Sequence, residues 1–322
     1  MSLVPQQRQR SIPWRNLLAR FGLVLALAAL VLVLSLLSER FLTRSNIINV
    51  LRQISINAII AYGMTVIIIG RGIDLSVGSL VALTGVVGAS LAVNTLPAGL
   101  AIGAAVGLGT ALGAFNGIFV AFAGIAPFIV TLAGLTMFRG AALAFTGGRP
   151  VSGLPDIFQT LGYGQVWSIP VPIWVMLGVL VITHIMLRFT SLGRAIYAIG
   201  GNDEAARLSG IPVKRVLLFS YAYSGLTAAV AAMVLTGRLN SAQPSAGAAF
   251  ELDAIAAVVV GGTSLFGGRG GVFGTLIGAL IIGVINNGMN LLNVPSFYQQ
   301  IVKGAVILGA LLIERVASSN KA

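Results

Sequence analysis

Long apolar runs separated by brief polar breaks set the pattern of this chain. The first run covers 21–37, and the next two, 54–70 and 75–93, are divided by Arg71-Gly72-Ile73-Asp74. Pro97 precedes a fourth run, 98–121, and Pro127 opens a fifth that fades near Thr146-Gly147-Gly148. Further runs cover 171–189, 216–237, 252–265, 271–292 and 296–313, of which 252–265 is short and stops in glycines. A bilayer crossing takes roughly 20 apolar residues, so the pattern predicts an all-α polytopic integral membrane protein of about ten transmembrane helices. The polar segment 151–169, punctuated by Gly and Pro, reads as an extramembrane loop. Run 21–37 ends in Ser35-Leu36-Leu37-Ser38-Glu39, which is no small-x-small cleavage site, so it reads as a retained first helix and not a signal peptide.

Composition agrees with the pattern. Hydrophobic residues make up 57% of the 322 and charged ones only 9%, with a mean hydropathy of +0.97. Soluble domains carry about 25% charged residues. Residues 75–138 contain no Asp, Glu, Lys or Arg at all. Forty-one glycines fit membrane helices, where Gly allows close backbone approach. The absence of cysteine excludes disulfides and thiolate metal sites, and His184 alone cannot build a metal site. No cofactor is expected.

The net charge of +12 would point to nucleic acid were it not confined to short loops and tails. An N-terminus inside places 13 Lys and Arg in the cytoplasm and five outside (Arg40, Arg44, Arg52, Arg149 and Arg238), with Arg139 and Lys303 within helices. Both termini are therefore expected in the cytoplasm, and the partner of the basic residues is membrane lipid, with no nucleic acid. This divides the chain into a basic tail 1–20, a transmembrane domain 21–315 with a cytoplasmic loop at 190–215, and a tail 316–322. An offset of 196 residues gives six identities in the 30 positions 56–85, too few to argue an internal repeat.

A phosphate-binding G-x-x-x-x-G-K-[ST] loop needs a lysine after its second glycine. The three lysines, Lys214, Lys303 and Lys321, all follow other residues, so the chain is not expected to hydrolyse ATP. The loop 190–215 carries the most specific local chemistry. Asn202 is a good N-cap, Asp203 and Glu204 suit the positive end of the helix dipole, Arg207 suits the last turn, and Gly210 can close the helix in left-handed geometry. A short capped helix in a cytoplasmic loop is either an ordinary solvated loop helix or a docking element for another subunit.

The run Ala198-Ile199-Gly200-Gly201-Asn202-Asp203-Glu204-Ala205-Ala206-Arg207-Leu208-Ser209-Gly210-Ile211 resembles the cytoplasmic coupling segment of ribose-type ABC transporter permeases. Gly72-Ile73-Asp74-Leu75-Ser76-Val77-Gly78-Ser79, Ser241–Gly247 with Glu251–Ala257, and Gly261–Leu265 with Gly267-Gly268 are similar to further segments of that family, so the resemblance spans about 41–314. It implies a homodimeric inner-membrane permease, a separate cytoplasmic ABC ATPase that docks on Asn202, Asp203, Glu204, Ala205, Ala206, Arg207, Ser209 and Gly210, and a periplasmic sugar-binding protein. The expected activity is import of a monosaccharide, ribose being favoured, by alternating access.

A carboxylate at membrane depth is a functional suspect by default, so Asp74 heads the candidates for the translocation pathway; the plainer reading is that it caps the following helix. Ser76, Ser79, Asn57, Asn116, Asn286, Asn287 and Asn290 complete that set, because amides and hydroxyls bind sugars, with Asn57, Asn116 and also Thr131 the weaker candidates. Interhelical fastening is the equal alternative for the asparagines on 271–292. Arg44, Arg149 and Arg238 could meet acidic residues of a binding protein, or simply encode topology. Arg139 and Lys303 read as snorkelling side chains, and Glu251 and Asp253 as dipole partners of the short helix. The rival function is an ion-coupled secondary sugar transporter with Asp74 as ion carrier.

Overall fold

The computed structural model describes residues 13–319, so parts of both expected tails lie outside the described residues. Thirteen helices account for most of it: α1 Pro13–Leu37, α2 Arg44–Ile69, α3 Val77–Asn94, α4 Ala98–Ala121, α5 Pro127–Thr146, α6 Asp156–Tyr163, α7 Val171–Phe189, α8 Ser191–Gly201, α9 Asp203–Leu208, α10 Val213–Leu239, α11 Phe250–Val260, α12 Val272–Leu291 and α13 Ser296–Ser319. Seven of them, α2, α3, α4, α5, α7, α10 and α12, are long and apolar enough to cross a membrane. The segment expected as a plain loop folds into α6 and a two-stranded antiparallel hairpin, β1 Gln165–Val166 and β2 Ile169–Pro170.

Helix α2 starts ten residues before the apolar run it contains, because Thr43 caps it through the backbone N–H of Asn46 at 3.4 Å. From Ile54 to Ile69 nearly every side chain is buried, on all faces, against α7, α10, α11 and α12. A helix apolar all round belongs at the centre of a bundle. By contrast, α4, α5 and α7 turn Phe119, Phe122, Ile129, Met137, Val181 and Ile182 outward, as a lipid-facing surface requires.

Small residues decide how closely the helices meet. At the α4–α10 crossing, a Cβ on Gly225 would strike the carbonyl oxygen of Gly109 and lie 2.9 Å from the Gly113 Cα. A Cβ on Gly63 of α2 would meet the Thr227 hydroxyl and lie 3.0 Å from the Ser224 Cα of α10. Lipid gives helices no hydrophobic reason to associate, so such contacts supply the packing energy.

Two stretches break the helical bundle. Residues 70–76 link α2 to α3, and residues 240–249 lead from the end of α10 into α11. The second stretch is anchored twice: residue Ala242 forms an isolated bridge with Val151, and Arg139 donates to the carbonyls of Pro244 at 2.8 Å and Ala246 at 2.6 Å. Arg139 is therefore a clamp on irregular backbone and not a snorkelling side chain. Helix α11, at 11 residues, is about 16 Å long and cannot span a bilayer. Gly225→Ala is expected to cost about 1–3 kcal/mol, because only backbone lies in the way. Gly103→Ala, where nothing stands within 4 Å, serves as the neutral control; thermal unfolding in detergent measures both.

Candidate functional site

The loop between α7 and α10 builds a two-helix element. Thr190 opens α8 by accepting the Gly193 N–H at 3.1 Å. Asn202 then ends α8 in extended geometry and caps α9 by accepting the Ala205 N–H at 2.9 Å. Gly210, at φ 81°, closes α9 in the left-handed region. Within α9 only Ala206 is buried; Asn202, Asp203, Glu204, Ala205, Arg207, Ser209 and Gly210 are exposed. Arg207 donates to Glu204 at 2.5 and 3.2 Å, and these bonds hold the Glu204 carboxyl below the usual carboxylate range. The pair is thus formed at neutral pH and lost only in acid.

Helix α8 fixes this element to the bundle. Its Ile196 and Ile199 are buried, and Gly200 presses on the end of α2 so closely that a Cβ there would strike the Ile69 carbonyl. That same carbonyl accepts the Gly268 N–H at 2.9 Å, and the Tyr197 hydroxyl donates to the Gly270 carbonyl at 2.8 Å. Beside this junction, Arg71 stands 4.0 Å from Asp203. Helix α8 therefore ties α9 to α2 and to the 261–271 segment that leads into α12.

Asp74 lies wholly buried in the turn between α2 and α3. One of its oxygens accepts the Ser76 N–H at 3.0 Å and the Ser76 hydroxyl at 2.6 Å, while the other accepts the Ser224 hydroxyl at 2.9 Å. Asn116 donates to the Ser76 hydroxyl oxygen at 2.9 Å, Ser79 donates to the Ser76 carbonyl at 2.8 Å, and Thr131 donates to the Ile73 carbonyl at 3.2 Å. These residues tie the turn to α4, α5 and α10. Asp74 lines neither the cavity beside α9 nor the one at the opposite end of α2.

That second cavity, of about 190 Å³, gathers Asn57 of α2, Asn286 and Asn290 of α12 and Arg238 of α10. Gln53, Phe250, Asp253, Gln299 and Lys303 share its wall. Lys303 does not snorkel: it pairs with Asp253 at 2.8 Å and joins α13 to α11. Asp253 is correspondingly an ion-pair partner as well as a first-turn acid. Asn287 is outside the group, because it exchanges two amide hydrogen bonds with Asn46 at 3.0 and 2.9 Å and fastens α12 to α2. Arg44 and Arg149 are exposed and separate from the cavity. His184 is half-buried and sits edge-on to Phe273, with centroids 4.8 Å apart.

Comparison with known proteins places this architecture. The family model described as the permease component of the branched-chain amino acid transport system matches residues 46–311. The chain belongs to this permease family. The ribose import permease protein of Bacillus subtilis (strain 168) is 50% identical over 316 residues, 98% of each chain. That of Haemophilus influenzae is 49% identical over 301 residues, 92% of this chain and 93% of the relative. The D-allose transport system permease protein of Escherichia coli (strain K12) is 42% identical over 302 residues, 93% and 92% of the two chains. No solved structure matches at a significant level. The protein is a multi-pass, inner-membrane ABC importer permease.

Two features of the permease escape a reading of sequence alone. Leu208, on α9, leaves 76% of its surface exposed, beside the Glu204–Arg207 pair. Gly200 matters only because the Ile69 carbonyl arrives against it. A side chain added at Gly200 must push α8 from α2, whereas Gly201 has open space around it. Gly200→Ala is therefore expected to lower ATP-driven uptake severalfold while Gly201→Ala leaves it unchanged, both measured in proteoliposomes containing the whole transporter.

Proposed function

We propose that this permease imports ribose, with force supplied by a separate cytoplasmic ABC ATPase seated on α9 and substrate delivered by a periplasmic binding protein. The family description refers to branched-chain amino acids, but the relatives aligned across nearly the whole chain are named for sugars. Identity is 50% to a ribose import permease, 42% to one named for D-allose and 36% to one named for xylose. The observation that carries the ATPase docking is the surface of α9. Leu208, 76% exposed on a locally capped helix beside the Glu204–Arg207 pair, offers apolar surface whose burial by a partner would be favourable.

In this reading, closure of the ATPase pushes α9 and α8. The Gly200–Ile69 contact passes the push to α2, and the Gly268–Ile69 hydrogen bond carries it to α12. Solute access then alternates between the two ends of the bundle. The expected homodimer would give two such elements for two nucleotide-binding halves. Arg44 and Arg149, exposed at the far end, are the docking candidates for a binding protein. An ion-coupled mechanism through Asp74 finds little support, since three donors already occupy its carboxylate.

Reconstitution tests the reading. Ribose uptake into proteoliposomes is expected only with ATPase, ATP and binding protein together; uphill uptake by this chain alone, driven by an ion gradient, would refute it. Leu208→Ala should weaken co-purification of the ATPase by about tenfold, the effect of removing about two buried methylene groups at ~0.8 kcal/mol each.

A further inference from the structure

The cavity opposite α9 combines features that ordinary helix packing does not require. Asn286 lines it with only 5% of its surface exposed, and its side-chain oxygen has no hydrogen-bond partner among the described residues. A buried acceptor left without a donor forfeits the hydrogen bonds it would make in water. The backbone is unusual at the same place. Residues 240–249 are irregular, Ala249 takes φ 63° where a side chain is strained, and α11 begins directly afterwards. Within a bilayer, non-helical backbone is tolerated where it lines a cavity, and transporters bind solute at such broken helices.

We infer that this cavity is a binding site for a neutral monosaccharide within the permease itself, with the Asn286 side-chain oxygen accepting a sugar hydroxyl. The inference rests on the sugar-import reading and assigns it a place. Its volume of about 190 Å³ is on the order of six waters, the scale of one sugar ring with its hydroxyls. Asn290 already accepts from Gln299 at 2.8 Å, so its amide NH2 is the group left to donate. Asn57 offers both a donor and an acceptor. The Asp253–Lys303 pair and Arg238 present charged groups to hydroxyls, which strengthens hydrogen bonds. Because Lys303 offsets Asp253, the wall keeps one uncompensated positive charge, on Arg238, which disfavours cationic solutes. Phe250 supplies an apolar surface for the C–H face of a ring.

Saturation-transfer NMR tests this with D-ribose added to the complete permease–ATPase complex in nanodiscs, without ATP or binding protein. Transfer to ribose is expected in the native complex and in Asn94→Ala, an exposed asparagine away from the cavity. It should fall about fivefold to tenfold in Asn286→Leu, as loss of one hydrogen bond predicts. Asn290→Ala, at an exposed position of the cavity rim, should lower it to a smaller degree and covers the case in which Asn286→Leu fails to fold. Absence of transfer in the native complex, or equal transfer in the native complex and a folded cavity variant, overturns the site. Neither result touches ATP coupling, which the reconstitution experiment decides separately.

Discussion

Close backbone contact at α10 is the constraint on which the permease depends. Inside lipid, helices gain nothing by hiding apolar surface from one another, and only dense contact holds them together. Gly63 on α2, Gly109 and Gly113 on α4, and Gly225 on α10 remove the side chains that would keep these helices apart. The rest follows from that approach. Helix α2 becomes enclosed on every face, and the turn bearing Asp74 falls within reach of Ser224 and Asn116.

The polar residues then divide by task. Asp74, Ser76, Ser79, Asn116 and Thr131 spend their hydrogen bonds on one another and on nearby backbone, so they fix a turn. Asn46 and Asn287 do the same between two helices. The side-chain oxygens of Asn116 and Asn286 are both buried without a donor, and Asn286 differs in that it lines a cavity. An unpartnered acceptor on a cavity wall is a better indicator of a ligand than a carboxylate that has found three donors.

Much of the fold was legible in the sequence because uncharged runs in a 9%-charged chain have few other homes. The bounds of α4 at 98–121 and of α7 at 171–189 follow directly from Pro97, Pro170 and the neighbouring polar residues. Helix α9 was equally plain, since Asn202 and Gly210 specify its ends locally. The first ten residues of α2 were not, because Arg44, Asn46, Asn49 and Arg52 look like a polar loop until Asn287 and Tyr163 meet them. The Lys303–Asp253 pair joins residues 50 apart, and no local pattern announces such a partner. Helix α6 lay hidden among Gly and Pro, and packs through Phe158 and Gly162 on Gly237 of α10. The cavity was half visible: three asparagines of its wall stood out as sugar-binding chemistry, while their convergence needed three dimensions.

The length of α2 has a consequence of its own. Its 26 residues extend about 39 Å, with the Ile69 carbonyl at one tip and Asn57 facing the far cavity. A regular helix barely stretches, so in the proposed mechanism a shove at the Ile69 tip would reappear as tilt or slide beside Asn57. In the proposed mechanism the two mouths of the protein are thus geared to a single shaft.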